Sequence, residues 1–162
     1  MKSGKQETVF LDKKQALAKA EHFCVYQERS QKEVRSKLLD WGMRGDELEE
    51  IISELIINNF LNEERFARQY AIGKFNIKKW GRIKIKQGLK LKGVPEKILQ
   101  KAIYSIDEDD YMQTLENLAE KKALTLHEND PFKRKFKLVN YLQGKGFESE
   151  LIFLTLKASN LN

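Results

Sequence analysis

The sequence has few of the residues that build disulfide-linked, metal-binding or membrane-embedded proteins. Its 162 residues include one cysteine, two histidines and two prolines. The single cysteine, Cys24, excludes an internal disulfide and is typical of a reducing compartment. No run of eighteen apolar residues predicts a membrane span, and the N-terminus lacks the apolar core of a secretion signal. We therefore expect a cytoplasmic protein.

Side chains for catalysis and metal binding are equally scarce. His22 and His127 lie far apart in the chain, and no second pair complements His22 and Cys24 to complete a zinc site. A Walker-type phosphate loop is absent from the sequence. The acids of 107–110 are more typical of a solvated helix start than of a cation site. The sequence predicts a non-enzymatic protein without cofactor or metal.

The low content of glycine and proline, with 33% charged residues, favours helices joined by short turns. Apolar residues recur at helical spacing, as at Val34 and Leu38. Helix starts are predicted at Ser30 (with Glu33 in a capping box) and at the further capping residues Asp46, Asn62, Asp107 and Asp130. Because helices of this length are too short to persist alone, they must pack together. The predicted fold class is all-α.

One pattern occurs three times, about fifty residues apart: a leucine, three further residues, a glycine and an apolar residue. The copies run from Leu38 to Met43, from Leu89 to Val94 and from Leu142 to Phe147. This periodicity predicts three tandem three-helix repeats in an elongated array, straight or curved. The predicted organisation is a flexible segment 1–10 and repeats 11–59, 60–106 and 107–162.

Positive charge is concentrated in the middle repeat. Residues 71–101 contain ten lysines and arginines against one acid, whereas 107–120 contain six acids and no base. Such a block is typical of a protein that contacts nucleic acid or a filament carrying it. The alternative is a solvated lysine-rich surface without a partner.

Within this block, Arg82, Lys86 and Lys90 recur every four residues and predict one ridge of a helix. Ile85 and Leu89 turn toward the core. The ridge could follow a phosphate backbone or an acidic wall. The next helix begins at 95–97 with Pro-Glu-Lys, which offers little to read a base, so sequence-specific DNA recognition is not expected.

Trp80 follows Lys78 and Lys79 in the segment that precedes this ridge. An aromatic ring among lysines can stack on a base or fill a pocket of a partner. Equally, the ring can fasten the turn to the core. Both alternatives stay open.

Two segments resemble a known family, the RecX regulatory proteins. Residues 60–67 (Phe-Leu-Asn-Glu-Glu-Arg-Phe-Ala) are similar to one signature of that family, and 81–94 to its Gly-x-x-x-Ile…Leu-x-x-Lys-Gly-Ile segment. Trp80 before the glycine and the missing proline after it depart from the pattern. The residues that carry the resemblance are Phe60, Leu61, Asn62, Glu64, Arg65, Phe66, Ala67, Gly81, Ile85, Leu89, Lys92 and Gly93.

The resemblance implies three tandem three-helix units and a function in recombination, DNA repair and the SOS response. RecX proteins bind the filament of the recombinase RecA on single-stranded DNA, lie along its groove and generally limit its assembly and activity. On this basis we expect Lys79, Arg82, Lys86 and Lys90 to contribute to the contact, with Lys78 and Trp80 as further candidates for binding the partner or DNA. We also expect a monomer and weak direct binding to DNA. The alternatives are a general DNA-binding helical repeat without a recombinase partner and a scaffold with solubilising lysines.

Overall fold

The computed structural model describes residues 10–161, and within this range the protein is all-helical, as predicted. The predicted flexible segment 1–10 lies outside the described residues except for Phe10. A π-helical turn, Lys74–Lys78, follows the fourth α-helix. The α-helices are α1 Lys13–Tyr26, α2 Gln31–Asp40, α3 Gly45–Ile57, α4 Glu63–Gly73, α5 Arg82–Leu91, α6 Glu96–Tyr104, α7 Glu108–Thr125, α8 Pro131–Gly144 and α9 Ser149–Ala158.

The described chain divides into two compact units. The first extends to Phe66 and includes the turn Lys92–Val94, and the second comprises Ala67–Leu91 and the residues from Pro95 onward. None of the described helices combines the length and apolar character that a membrane span needs.

In the first unit α1, α2 and α3 pack against each other in pairs. Their shared core includes Ala20, Val34, Leu38, Ile51 and Leu55, all fully buried. Burial of these side chains supplies the stability that such short helices lack alone.

The capping predictions are confirmed at most helix starts, and one of them is wrong. The Ser30 hydroxyl accepts from the Glu33 amide while the Glu33 carboxylate accepts from the Ser30 amide, which confirms the capping box of α2. The prediction that Asp46 caps α3 is wrong. Arg44 has the extended backbone of the N-cap position, so α3 begins at Gly45 and Asp46 lies in its first turn.

The repeated leucine–glycine pattern has a direct structural explanation. Gly42, Gly93 and Gly146 all have positive φ, at 90°, 74° and 98°. This left-handed conformation ends a helix and favours glycine. In two copies the amide of the residue after the glycine donates a hydrogen bond to the carbonyl of the leucine. Met43 donates to Leu38 (2.9 Å) and Phe147 to Leu142 (3.2 Å). The apolar residue after each glycine is buried, so each turn stops a helix and anchors the next segment.

In the second unit α7, α8 and α9 pack against each other in pairs, and α5 packs on α6. Asp107 and Asp130 cap α7 and α8 as predicted, accepting from the amides of Asp110 and Lys133. Tyr111, fully buried, lies with its ring centroid 5.8 Å from that of Phe75 and 5.1 Å from that of Phe147. These aromatic contacts join the π-helical turn to α7 and to the start of the α9 segment.

Candidate partner-binding surface

Helix α5, which carries the predicted ridge, is fixed at its start by a backbone contact. The Gly81 amide donates to the Lys145 carbonyl (2.8 Å), and the Ile83 amide donates to the Gly146 carbonyl (3.0 Å). A β-carbon at Gly81 would collide with the carbonyl group of Gly146. Glycine at position 81 thus allows α5 to approach the turn between α8 and α9 at backbone distance.

Arg82 occupies the first position of α5, and its charge is compensated inside the protein. The guanidinium pairs with Glu108 and with Glu148 (3.2 Å) and lies 3.8 Å above the centre of the Tyr111 ring. The Tyr111 hydroxyl donates to Glu148 (2.6 Å) and accepts from the Arg82 amide (3.0 Å). Burial, with the Glu148 hydrogen bond, raises the pKa of Tyr111, so its hydroxyl stays protonated. Arg82 therefore holds α5 in place and offers little free charge.

Lys86 and Lys90 present a different environment on the same ridge. Lys86 is half-buried and lines a groove of about 550 Å³ with Gln100 and Tyr104 of α6, while Lys90 is exposed. Within residues 10–161 neither lysine forms an ion pair. We call Lys86 and Lys90 the α5 ridge. No described carboxylate binds either ammonium group, although Asp107, Glu108 and Glu148 line the same groove as Lys86.

Trp80 lies half-buried between two lysines. The Lys74 and Lys84 ammonium groups lie 5.0 and 4.7 Å from the ring centroid, within cation–π distance. Lys78 and Lys79 are exposed beside it, and Lys79 ends the π-helical turn in the left-handed conformation (φ 57°). We call these five residues the Trp80 cluster.

The α5 ridge and the Trp80 cluster lie on opposite flanks of α5. At about 100° per residue, Lys84 and Lys86 are about 200° apart around the helix axis. Contacts agree with this spacing, because Lys84 reaches the Trp80 ring whereas Lys86 lines the groove with α6. The candidate residues predicted as one site therefore form two groups.

The residues of the family resemblance serve mainly to build the fold. Leu61, Phe66, Ala67, Ile85 and Leu89 are buried. The Asn62 side chain caps α4 by accepting from the Arg65 amide (2.9 Å), as predicted.

The two basic residues of the resemblance bind carboxylates inside the first unit. Arg65 pairs with Glu28 and donates to the Asn59 carbonyl (3.0 Å). Lys92, beside Gly93, donates to Glu33 (2.6 Å). Both therefore hold turns in place.

Several residues of this region were not predicted from the sequence. Glu108 and Glu148 neutralise Arg82, and Lys74 and Lys84 flank Trp80. The spacing of Trp80 and Lys84 by four residues is a usable local signal. No neighbouring residue in the sequence indicates the role of Glu148, because its partner Arg82 lies 66 residues away.

Three tandem groups of three helices, with lysines of the middle group that no described carboxylate binds, define a helical-repeat protein with a candidate binding surface. Family models match all three groups: the first three-helix domain of RecX at residues 16–55, the second at 62–103 and the third at 108–156. The chain is also similar to the Regulatory protein RecX of Prosthecochloris aestuarii, with 32% identity over 90% of this chain and 93% of the relative. The chain belongs to the RecX family.

Further relatives support this assignment. The Regulatory protein RecX of Clostridium perfringens strain 13 is 38% identical over 74% of this chain, and the chain spans only 57% of the length of that relative. The crystal structure of RecX from Lactobacillus salivarius superimposes with a TM-score of 0.85 at 28% identity, covering 93% of this chain and 98% of that one. The chain is thus a RecX-family regulatory protein by sequence and by fold.

Proposed function

We propose that this protein binds the filament of RecA on single-stranded DNA and limits the assembly, ATPase, recombinase and coprotease activities of that filament. Membership of the RecX family supports a regulatory function of this kind. The observation that carries the proposal is the α5 ridge. The ammonium groups of Lys86 and Lys90 are not paired with a described carboxylate, whereas the guanidinium of Arg82 is paired with two.

The two groups on α5 have separate roles in this proposal. Lys86 and Lys90 contact acidic side chains or phosphates of the filament, where uncompensated cations gain the most. Arg82 positions α5 because two carboxylates already bind its guanidinium. The Trp80 cluster adds positive charge on the opposite flank and presents an aromatic ring for a second contact.

The test is the ATPase rate of RecA on single-stranded DNA with this protein added below the molar amount of RecA. Wild type should suppress turnover and shorten filaments. The double variant Lys86→Glu/Lys90→Glu should lose most of this suppression, because it replaces two attractive charges with repulsive ones. The matched control is Lys121→Glu/Lys157→Glu, which makes the same charge change at two exposed lysines of α7 and α9.

Circular dichroism should show unchanged helix content for both double variants. Full suppression by the Lys86/Lys90 variant would remove the α5 ridge from the contact. If wild type leaves turnover unchanged but binds bare duplex DNA with steep salt dependence, the protein is instead a general DNA-binding helical repeat.

A further inference from the structure

The first half of α8 exposes aromatic rings that no packing role explains. Phe132 and Phe136 are 83% and 61% exposed and lie one helical turn apart. Phe153 of α9 is 47% exposed, and the Lys135 ammonium lies 5.8 Å from its ring centroid. Single exposed apolar side chains are common, but adjacent large rings on one surface mark a site of interaction.

Cations surround these rings, and acids are absent from the same stretch. Residues 131–141 contain four basic side chains and no acidic one. Two of the four have structural roles. Arg134 donates to the carbonyls of Ala123 and Leu126 (3.2 Å to the latter), and Lys137 donates to Glu128 (2.9 Å).

The other two cations, Lys133 and Lys135, flank the aromatic residues. Lys133 is exposed one residue after Phe132, and Lys135 lies beside Phe136 and over the Phe153 ring. We call Phe132, Lys133, Lys135, Phe136 and Phe153 the α8 surface. It alternates aromatic and cationic groups.

We propose that the α8 surface binds single-stranded nucleic acid. Residues one turn apart on a helix have β-carbons about 5–6 Å apart, so Phe132 and Phe136 can each receive a base of an extended strand. Lys133 and Lys135 then lie beside the phosphates. Any unpaired base has a face that can stack, so recognition would be tolerant of sequence. A duplex hides those faces, which gives the site its preference for single strands.

The geometry disfavours a membrane as the occupant. A helix that inserts into a lipid surface needs a broad apolar face. The broad apolar face of α8, formed by Leu138, Val139 and Leu142, is buried in the helix bundle. The exposed face of α8 is a narrow aromatic ridge with lysines on either side.

This inference does not rest on the proposed regulation of RecA, and it is tested without the recombinase. Binding of a fluorescein-labelled oligothymidylate would be followed by fluorescence anisotropy at constant low salt. The variant Phe132→Ala/Phe136→Ala should raise the Kd at least about tenfold, given the usual contribution of each stacked base. Because both rings are exposed, the thermal melting curve should be unchanged.

Two further variants separate stacking from a general loss of aromatic surface. Tyr26→Ala removes a ring that is 79% exposed at the end of α1 and should leave the Kd unchanged. Phe132→Trp/Phe136→Trp keeps a stacking face at both positions, so it should bind as tightly as wild type. The oligonucleotide should quench its tryptophan emission more than that of wild type, which contains only Trp41 and Trp80.

Three outcomes would overturn the proposal. The first is a Kd for the double alanine variant equal to that of wild type. The second is equal competition by duplex DNA of the same length, which would show phosphate attraction alone. The third is binding to phosphatidylglycerol vesicles that depends on Phe132 and Phe136 while the oligonucleotide is not bound, which would identify a lipid surface.

Discussion

At the scale of single residues, the partner of a charged group decides what that group can do. Arg82 and Lys86 occupy successive turns of one ridge and are equivalent by helical spacing. Glu108 and Glu148 bind the first, and no described carboxylate binds the second. The same periodicity therefore yields one residue that positions a helix and one that is open to a partner.

The ion pair of Lys92 and Glu33 illustrates the same point in the pH dependence of stability. Burial raises the pKa of Glu33, but the hydrogen bonds from Lys92 and from the Ser30 amide outweigh it, so the pKa lies below its usual value. A carboxyl whose pKa is lowered by folding stabilises the protein above its unfolded pKa, about 4.3. That contribution is lost as the pH falls through the folded-state pKa.

We expect Glu33→Gln to lower the free energy of unfolding by about 0.5–1 kcal/mol at neutral pH, because it removes a half-buried charge pair but keeps an amide oxygen for the capping box. Urea denaturation should show the difference from wild type vanishing once the pH lies below the folded-state pKa. Glu49→Gln is the control, since its pair with Arg35 is exposed and should contribute less. A loss that is the same at neutral and acid pH would contradict this account.

At the scale of elements, glycines determine how closely helices approach. Gly42, Gly93 and Gly146 end helices through their positive φ angles, whereas Gly81 permits a backbone contact. In the sequence all four are simply glycines near a helix end. The contact of Gly81 with Gly146 fixes α5, and so sets the position of the α5 ridge.

Gly81→Ala should therefore destabilise the protein by about 1–3 kcal/mol, the usual cost of inserting a methyl group into a packed contact. Gly144→Ala is the matched control: its β-carbon would meet open space at the end of α8. Replacing glycine there should be neutral or stabilise by up to about 1 kcal/mol. Thermal or chemical denaturation measures both. Equal stability of the two variants would show that the turn can move away from α5 without cost.

At the scale of the whole molecule, the basic character is distributed over separate surfaces. The α5 ridge belongs to the middle repeat and presents isolated ammonium groups. The α8 surface belongs to the third and combines cations with exposed rings. The two proposals therefore assign different partners to these surfaces.

Measuring each double variant in both assays tests this separation. Lys86→Glu/Lys90→Glu should lose suppression of the RecA ATPase. Its Kd for oligothymidylate should stay within about threefold of that of Lys121→Glu/Lys157→Glu, which has the same net charge and also keeps the stacking rings. Phe132→Ala/Phe136→Ala should show the larger loss in oligonucleotide binding. Parallel losses in both assays for both variants would mean that the two surfaces act as one.

Much of the fold follows from local sequence signals. The capping box at Ser30, the glycine stops at Gly42 and Gly146 and the burial of Ile85 and Leu89 were all predicted, because each depends on residues within a few positions. The failure at Asp46 is also local. Asp46 is a good capping residue, but the extended backbone at Arg44 starts the helix earlier.

The candidate sites were less predictable. Phe132 and Phe136 have the one-turn spacing of a core stripe, yet their rings lie outside the bundle because Leu138 and Leu142 fill it. Periodicity identifies which residues share a face of a helix. It does not identify which of two apolar faces the bundle buries.

The sequence by itself determined the helices, their stops, the threefold repeat and the family, since these depend on short-range patterns of apolar, capping and glycine residues. Only the tertiary structure decided which cations are free. Charge compensation depends on carboxylates from distant segments, and Glu148 reaches Arg82 across 66 residues of chain while Lys86 has no such partner among the described residues.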